Sequence, residues 1–348
     1  MTMPAQNSKE FHAKAPFRLG LAGGGTDVSP YSDLFGGAVI NSTVSLYAWT
    51  TIRPRTDNKI IIASQLPDIV QEFESTDALP YLGELDLAKG VYNVLLKKYK
   101  LTHTGFNLLT KTDVPTGSGL GTSSTIVVSI LGAFLEWFKI SLSKNEIAQL
   151  AFYIEREELK MTGGKQDQYA ATYGGINFME FFDNKVVVTP IALEDEIIKK
   201  IKLNLLLYYT KTNRESSLII EQQIENVKMD NAQSITAMHN LKANALLMKA
   251  ALESNNHNEI GMLLNDSWVD KKSMASGITN EYIDSIYETA KKAGATGGKI
   301  SGAGGGGFML FFADKSKTNA VITALQNLGG DIVNYEFTQK GLETWTVK

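Results

Sequence analysis

Cysteine is absent from all 348 residues. That removes disulfides, thiolate metal sites and cysteine nucleophiles, and it suits a reducing cytoplasm. Histidine is scarce. His12, His103, His239 and His257 lie far apart and make no local metal-ligand spacing. With a net charge of −3 there is no basic footprint, so neither nucleic acid nor membrane is expected as a partner. Long apolar runs are missing too. The longest, Ile126 to Phe138, is interrupted by Glu136, is too short to span a bilayer and reads as a buried helix. The opening "MTMPAQNSKEFHAKAPF" lacks the apolar core of a secretory signal. What remains is an ordinary globular composition, 43% hydrophobic and 20% charged.

At about 150 residues per domain the length favours two domains. No internal repeat or low-complexity linker marks the join. The join is expected near 185–200, giving units at 1–190 and 191–348. Residues 38–64 are rich in Val, Ile, Thr, Tyr and Trp, and Pro54 and "TDN" divide them into strands. Leu87, Val91, Val94, Leu95 and Tyr99 recur at helical intervals over 86–99. "GFNLLTKTDVP" predicts a strand ending at Pro115. Helices are expected over 123–138 and 143–160, the latter with Ile147, Leu150, Ala151 and Ile154 on one face. In the second half "IKLNLLLYYT" reads as a buried strand, and helices follow at 215–229, 231–254 and 281–295. "GGKISGAGGGGFMLFFAD" predicts strand, glycine loop, strand. A helix near 317–328 and a final strand complete the chain. Such mixing points to the α+β class.

Three glycine clusters stand beside apolar strands: "LGLAGGGTD", "VPTGSGLGTSST" and "SGAGGGGF". The second precedes a helix but has no lysine, so it is not a Walker loop. A helix N-terminus can hold an anion with its free amides, and glycine lets backbone approach phosphate closely. A capped turn, with Ser123 or Ser124 as the cap, explains that loop equally well when it is taken alone. Three such loops are harder to explain separately.

Together, "KAPFRLGLAGGGTD", "PTGSGLGTSS" and "GGKISGAGGGGF" resemble the three motifs of the GHMP kinases, in order and across nearly the whole chain. The resemblance implies an N-terminal domain like domain 2 of ribosomal protein S5 and a ferredoxin-like C-terminal domain, with ATP and Mg²⁺ as cofactors. It implies a nucleotide site at Pro115, Gly117, Gly119, Leu120, Gly121, Thr122, Ser123, Ser124, Gly304 and Gly305. Ser123 and Glu155 become the metal ligands; periodicity alone does not separate Glu155 from Glu157 or Glu158. Asp167, twelve residues after Glu155 in "MTGGKQDQYAATYGG", becomes the base that takes the acceptor proton. On position alone it is a helix cap. Arg18 is implied to keep Asp167 ionised and to stabilise charge on the transferred group.

Galactokinases place Glu and His where this chain has Gly24 and Gly25, which argues against plain galactose. "LAGGGTDVSPYSDLFGG" and "NRESSLII" resemble the branch of the family that phosphorylates the anomeric hydroxyl of D-glycero-D-manno-heptose 7-phosphate. The acceptor would lie on Gly24, Gly25, Thr26, Asp27 and Gly175. Its own phosphate needs cations, for which Arg214, Lys271 and Lys272 are the candidates, each equally readable as solvated surface. A kinase of an unphosphorylated sugar such as fucose is the near rival. A non-catalytic regulator that binds sugar and ATP is the far one, and Ser123, Glu155 and Asp167 weigh against it. The expected partner is a small sugar phosphate. A homodimer is compatible with the sequence, which does not settle the oligomeric state.

Overall fold

The computed structural model describes residues 9–183, 185–212 and 216–348. The chain opens with β1 (Glu10–Ala22), a short α1 (Tyr31–Phe35), the long β2 (Gly37–Pro54) and the hairpin of β3 (Lys59–Gln65) and β4 (Asp68–Glu74). Next come α2 (Asp86–Tyr99), β5 (Phe106–Thr112), α3 (Thr122–Phe138), α4 (Lys144–Tyr153) and α5 (Gln166–Tyr173). A π turn at Ile154–Glu158 follows α4 directly. β6 (Ile176–Phe181) and β7 (Val186–Pro190) end the first half. The second runs α6 (Asp195–Asn204), β8 (Leu205–Tyr209), α7 (Ser216–Lys228), α8 (Ala232–Glu253), α9 (His257–Lys272) and α10 (Glu281–Ala293). β9 (Ala295–Ile300), β10 (Phe308–Ala313), α11 (Thr318–Gln326), β11 (Asp331–Ile332) and β12 (Glu343–Val347) complete it.

Two sheets organise these elements. The first runs β12-β1-β2-β5-β3-β4, with β6 on β2 and β7 on β6; β3 and β5 are parallel and the rest antiparallel. The second, β11-β8-β10-β9, is antiparallel throughout. The period of β1 explains its place. Ala13, Ala15, Phe17, Leu19 and Leu21 alternate onto the buried side, while His12 and Lys14 stay half-exposed. The apolar run of α3 lies on β1 and β2 with α2, α4 and α5 around it, so it is buried nearly all round. Its Val127, Val128, Leu131 and Phe134 join Ile52, Ile60 and Phe106 in one core, each contributing roughly 1.5–3 kcal/mol by burial. A second core crosses the seam: Phe17 and Leu19 of β1 pack with Leu207, Leu310 and Phe312 of the second sheet.

The α+β architecture is as expected, and three details differ. Residues 201–204, read as strand, are the last turn of α6. Its polar Lys199, Lys200 and Lys202 break the strand alternation, and β8 begins only at Leu205. The helix expected over 143–160 ends as α at Tyr153 and gives way to the π turn. α9 was not anticipated. Near the C-terminus the chain returns to the first sheet: β12 pairs with β1, and Val44 bridges to Phe337.

Candidate active site

The three glycine loops converge at the seam between the sheets. Around them is a cavity of about 180 Å³, lined by residues of β1, the 23–28 loop, the start of α3, the π turn, α5, α9 and the β9–β10 connection. Two larger, more apolar hollows border α2, and neither holds a residue of these loops. Chemistry rather than volume marks the site.

Part of the reason for glycine here is internal packing. Gly119 has φ +83°, and a Cβ on it would lie 2.4 Å from the Ser301 carbonyl oxygen. A Cβ on Gly302 would meet the Gly119 oxygen at 2.6 Å. The second and third loops therefore touch backbone to backbone, and Phe308 N–H donates to the Ser118 carbonyl at 3.0 Å. α3 starts from this junction. Its first turn has neither a side-chain cap nor an acidic residue, so its free amides and positive dipole end face the cavity.

Arg18, 4% exposed on β1, reaches across this junction. Its Nε donates to Asp167 Oδ1 at 2.7 Å, and its Nη1 donates to the Gly119 carbonyl at 2.7 Å. Asp167 sits in the first turn of α5 beside Gly121, where an added Cβ would come within 2.8 Å of its carboxyl carbon. It does not cap the helix: the N-cap is Lys165, without a side-chain cap bond. Asp27 is buried and accepts from Gln166 N at 3.1 Å, Gln166 Nε2 at 2.9 Å and Gly25 N at 3.3 Å. Burial, and after it the neighbouring Asp167 charge, raise the pKa of Asp27.

Glu155 is fully buried in the π turn. Gln168 Nε2 donates to its Oε2 at 2.5 Å and to Ser124 Oγ at 3.0 Å. Its Oε1 has no hydrogen-bond partner, with the Arg156 guanidinium 3.7 Å away. Burial raises the Glu155 pKa, opposed first by Arg156. Glu158 instead accepts from Tyr81 and lies outside the cavity.

The cavity holds more positive charge than the motifs suggest. Lys271 of α9 is buried, and no described residue accepts a hydrogen bond from it; burial pulls its pKa down to about 8. Lys299 of β9 is also buried and donates to the Gly20 carbonyl at 2.8 Å. Burial, then the nearby Lys271 and Arg18 charges, depress its pKa strongly.

Of the expected residues, Arg18, Gly24, Gly25, Asp27, Gly117, Gly119, Gly121, Thr122, Ser123, Ser124, Glu155, Asp167 and Lys271 line this cavity. Others do not. Pro115 and Leu120 are not among its lining residues, and Leu120 is buried in the core. The Thr26 hydroxyl is spent on the Gly23 and Ala38 carbonyls. Gly175 pairs with Thr43 and Thr338. Gly304 packs on Ile278, whose carbonyl accepts the Gly305 N–H. Lys272 points away, its ammonium 5.6 Å from the Trp268 ring centre and 3.9 Å from Asp284. Arg214 lies outside the described residues. The sequence reading missed Lys299, Gln166 and Gln168, although all three stand inside the quoted motifs.

The donor set fits a magnesium nucleotide. Mg²⁺ keeps several waters and takes one or two carboxylates, with phosphate oxygens completing its shell. The unpartnered Glu155 Oε1 and the hydroxyls at the start of α3 offer that combination, and the free amides suit phosphate.

Comparison with known proteins bears on this geometry. The GHMP kinases N terminal domain family matches residues 86–175, and the GHMP kinases C terminal family matches 248–331. The chain is 42% identical to the D-glycero-alpha-D-manno-heptose 7-phosphate kinase of Campylobacter jejuni, over 97% of this chain and 100% of that protein. A crystal structure described as a D-glycero-D-manno-heptose 1-phosphate kinase from Bacteroides thetaiotaomicron superposes with TM-score 0.83 at 38% identity, covering 97% of this chain and 99% of that one. The Lactococcus lactis galactokinase complexed with galactose, at 22% identity and TM-score 0.76 over 97% and 95% of the two chains, shares the fold. No described helix is long and apolar enough to cross a membrane.

Proposed function

The chain belongs to the GHMP kinase family, and from that premise we propose that it transfers the γ-phosphoryl group of ATP to the anomeric hydroxyl of D-glycero-D-manno-heptose 7-phosphate. The product is the 1,7-bisphosphate, a precursor of nucleotide-activated heptose for surface polysaccharide. ATP as donor places the reaction in the cytoplasm. The observation that carries the acceptor reading is the full-length likeness to the Campylobacter jejuni heptose 7-phosphate kinase. Lys271, buried at the cavity with Asp27 as a neighbouring charge and no described hydrogen-bond acceptor, supports it, because a phosphorylated sugar brings an anion that can accept from it.

Each residue has a distinct task in this reading. The free amides of α3 and the 117–121 loop hold the nucleotide phosphates. Ser123 and Glu155 would hold Mg²⁺, which supplies neutralisation of phosphate charge. Asp27 orients the acceptor by accepting from its hydroxyls, and Gly24, with open space beside it, leaves room for the sugar. Asp167 Oδ takes the proton of the attacking hydroxyl. Arg18, bonded to Asp167 and to the Gly119 carbonyl, fixes the base against the phosphate loop and stabilises charge on the group in flight.

The test is kcat/KM for heptose 7-phosphate, heptose 1-phosphate, free heptose, mannose and galactose, with the product identified by ³¹P NMR. We expect the 7-phosphate to be preferred by roughly 10⁴-fold over unphosphorylated sugars, the span reached when a site built for a polar group is left unpaired. Equal turnover of an unphosphorylated sugar would overturn the acceptor reading and leave the kinase assignment intact.

A further inference from the structure

Three consecutive residues of α5, Gln166, Asp167 and Gln168, each hold a different acidic or basic group of the site. Gln166 grips the Asp27 carboxylate with its backbone N–H at 3.1 Å and its side-chain amide at 2.9 Å. Asp167 pairs with Arg18 at 2.7 Å. Gln168 ties Glu155 Oε2 to Ser124 Oγ through one amide nitrogen. Successive helical positions point about 100° apart, so one turn can face three directions. Gln168 is fully buried and Gln166 nearly so, and neither carries charge. The residues they hold come from three separate elements: the 23–28 loop, the π turn and the start of α3.

We propose that the first turn of α5 is a two-sided positioning device: Gln166 sets the acceptor-side carboxylate Asp27, and Gln168 sets the nucleotide-side pair Glu155 and Ser124. Gln168 uses Nε2 on Glu155 Oε2 and leaves Oε1 without a hydrogen-bond partner, in a residue that lines the cavity. Loss of its amide leaves Glu155 free to rotate toward Arg156, whose guanidinium is already 3.7 Å from Oε1. Gln166 donates from both backbone and side chain to one carboxylate, fixing both Asp27 oxygens in the plane they present to a sugar. Because Asp167 stands between them on the same turn, acceptor, base and metal carboxylate keep one mutual register. This inference rests on the kinase reading and not on the identity of the sugar.

Two isosteric variants, Gln166→Met and Gln168→Met, separate the sides. Nucleotide binding is read calorimetrically with AMPPNP at increasing Mg²⁺, without turnover. Acceptor KM is read with heptose 7-phosphate, or with whichever sugar of the panel wild type uses if it does not use that one. Gln168→Met is expected to raise the Mg²⁺ needed for half-maximal nucleotide binding by about 10–100-fold, the usual effect of losing a partner that orients a metal ligand. Acceptor KM should stay within about twofold. Gln166→Met should do the reverse, raising acceptor KM by about tenfold with an unchanged Mg²⁺ requirement, since it loses one bond to a charged group. Should either methionine variant fail to fold, Gln166→Asn or Gln168→Asn replaces it, keeping the amide but shortening its reach. The expected shift is then smaller and on the same side. Variants that shift both quantities together, or that lower only the melting temperature, would overturn the proposal.

Discussion

Arg18 and Asp167, 149 positions apart in the chain, are joined by a 2.7 Å bond from Nε to Oδ1. The same guanidinium holds the Gly119 carbonyl at 2.7 Å, so one buried side chain ties the Asp167 carboxylate on α5 to the loop that starts α3. A surface ion pair would gain little and would be screened by salt. This one, with Arg18 almost fully buried, has its geometry enforced by β1, α5 and the loop before α3.

Asp167→Asn keeps the shape and can still accept from Arg18 through its amide oxygen, but it cannot take a proton. We expect kcat to fall by roughly 10²–10⁴ with the melting temperature and ATP affinity near wild type. Steady-state kinetics beside nucleotide titration check this. A variant with kcat near wild type would leave Asp167 a purely structural partner of Arg18.

Gly119→Ala tests the backbone contact between the loops. The methyl group would need φ near +83° and would press on the Ser301 carbonyl at 2.4 Å. Positive φ alone costs on the order of 1–3 kcal/mol in a non-glycine residue. Urea unfolding should show a loss at least that large, along with weakened nucleotide binding. Unchanged stability would mean that the two loops can part without cost.

Much of this architecture was legible in the sequence. α2 and α3 announced themselves by period and by apolar content, and the three glycine loops marked the seam. What escaped did so for physical reasons. α9 buries Gly261, Ser267 and Lys271 along with its apolar residues, so its inner face looks mixed and its outline is blurred. Lys299 is a single lysine on a strand, and lysine is expected at the surface unless the fold says otherwise. Gln166 and Gln168 are neutral, and only the folded chain shows which carboxylates they hold. Lys271 and Lys272 were indistinguishable as neighbours. The helix turns one inward and lays the other over Trp268.

The metal reading predicts a graded series. Glu155→Gln removes the charge of the buried carboxylate with the unpartnered oxygen, and Ser123→Ala removes a hydroxyl at the cavity wall. Both should raise the Mg²⁺ concentration for half-maximal rate, Glu155→Gln by more. Glu158→Gln, whose carboxylate accepts from Tyr81 outside the cavity, is the control and should change little. If Glu158→Gln proves the damaging change, the metal ligand has been placed on the wrong residue of the π turn.

Lys271 gives the site a pH signature. Its pKa is pushed down to about 8, first by burial, while Asp27 pulls it up. Below that pH the buried ammonium is charged and can pair with a phosphate; above it the amine is neutral. A sugar phosphate with a second pKa of about 6 is already fully dianionic across this range, so it adds no slope of its own. Since kcat/KM reports groups of the free enzyme, its value for the phosphorylated acceptor should fall from pH 7 to about 9, approaching tenfold per unit above the lysine pKa. For stability the sign is opposite. The folded pKa lies below the unfolded one, so the cost of burying the ammonium is fully present below about 8 and is relieved as pH rises toward the ordinary lysine value of 10.5. Lys271→Met should therefore be more stable than wild type near neutrality, with the advantage shrinking at alkaline pH. It should also lose both the preference for the phosphorylated sugar and the pH slope. Lys272→Met, with its ammonium outside the cavity, should keep both. Retention of the phosphate preference in Lys271→Met would assign the acceptor phosphate to another cation.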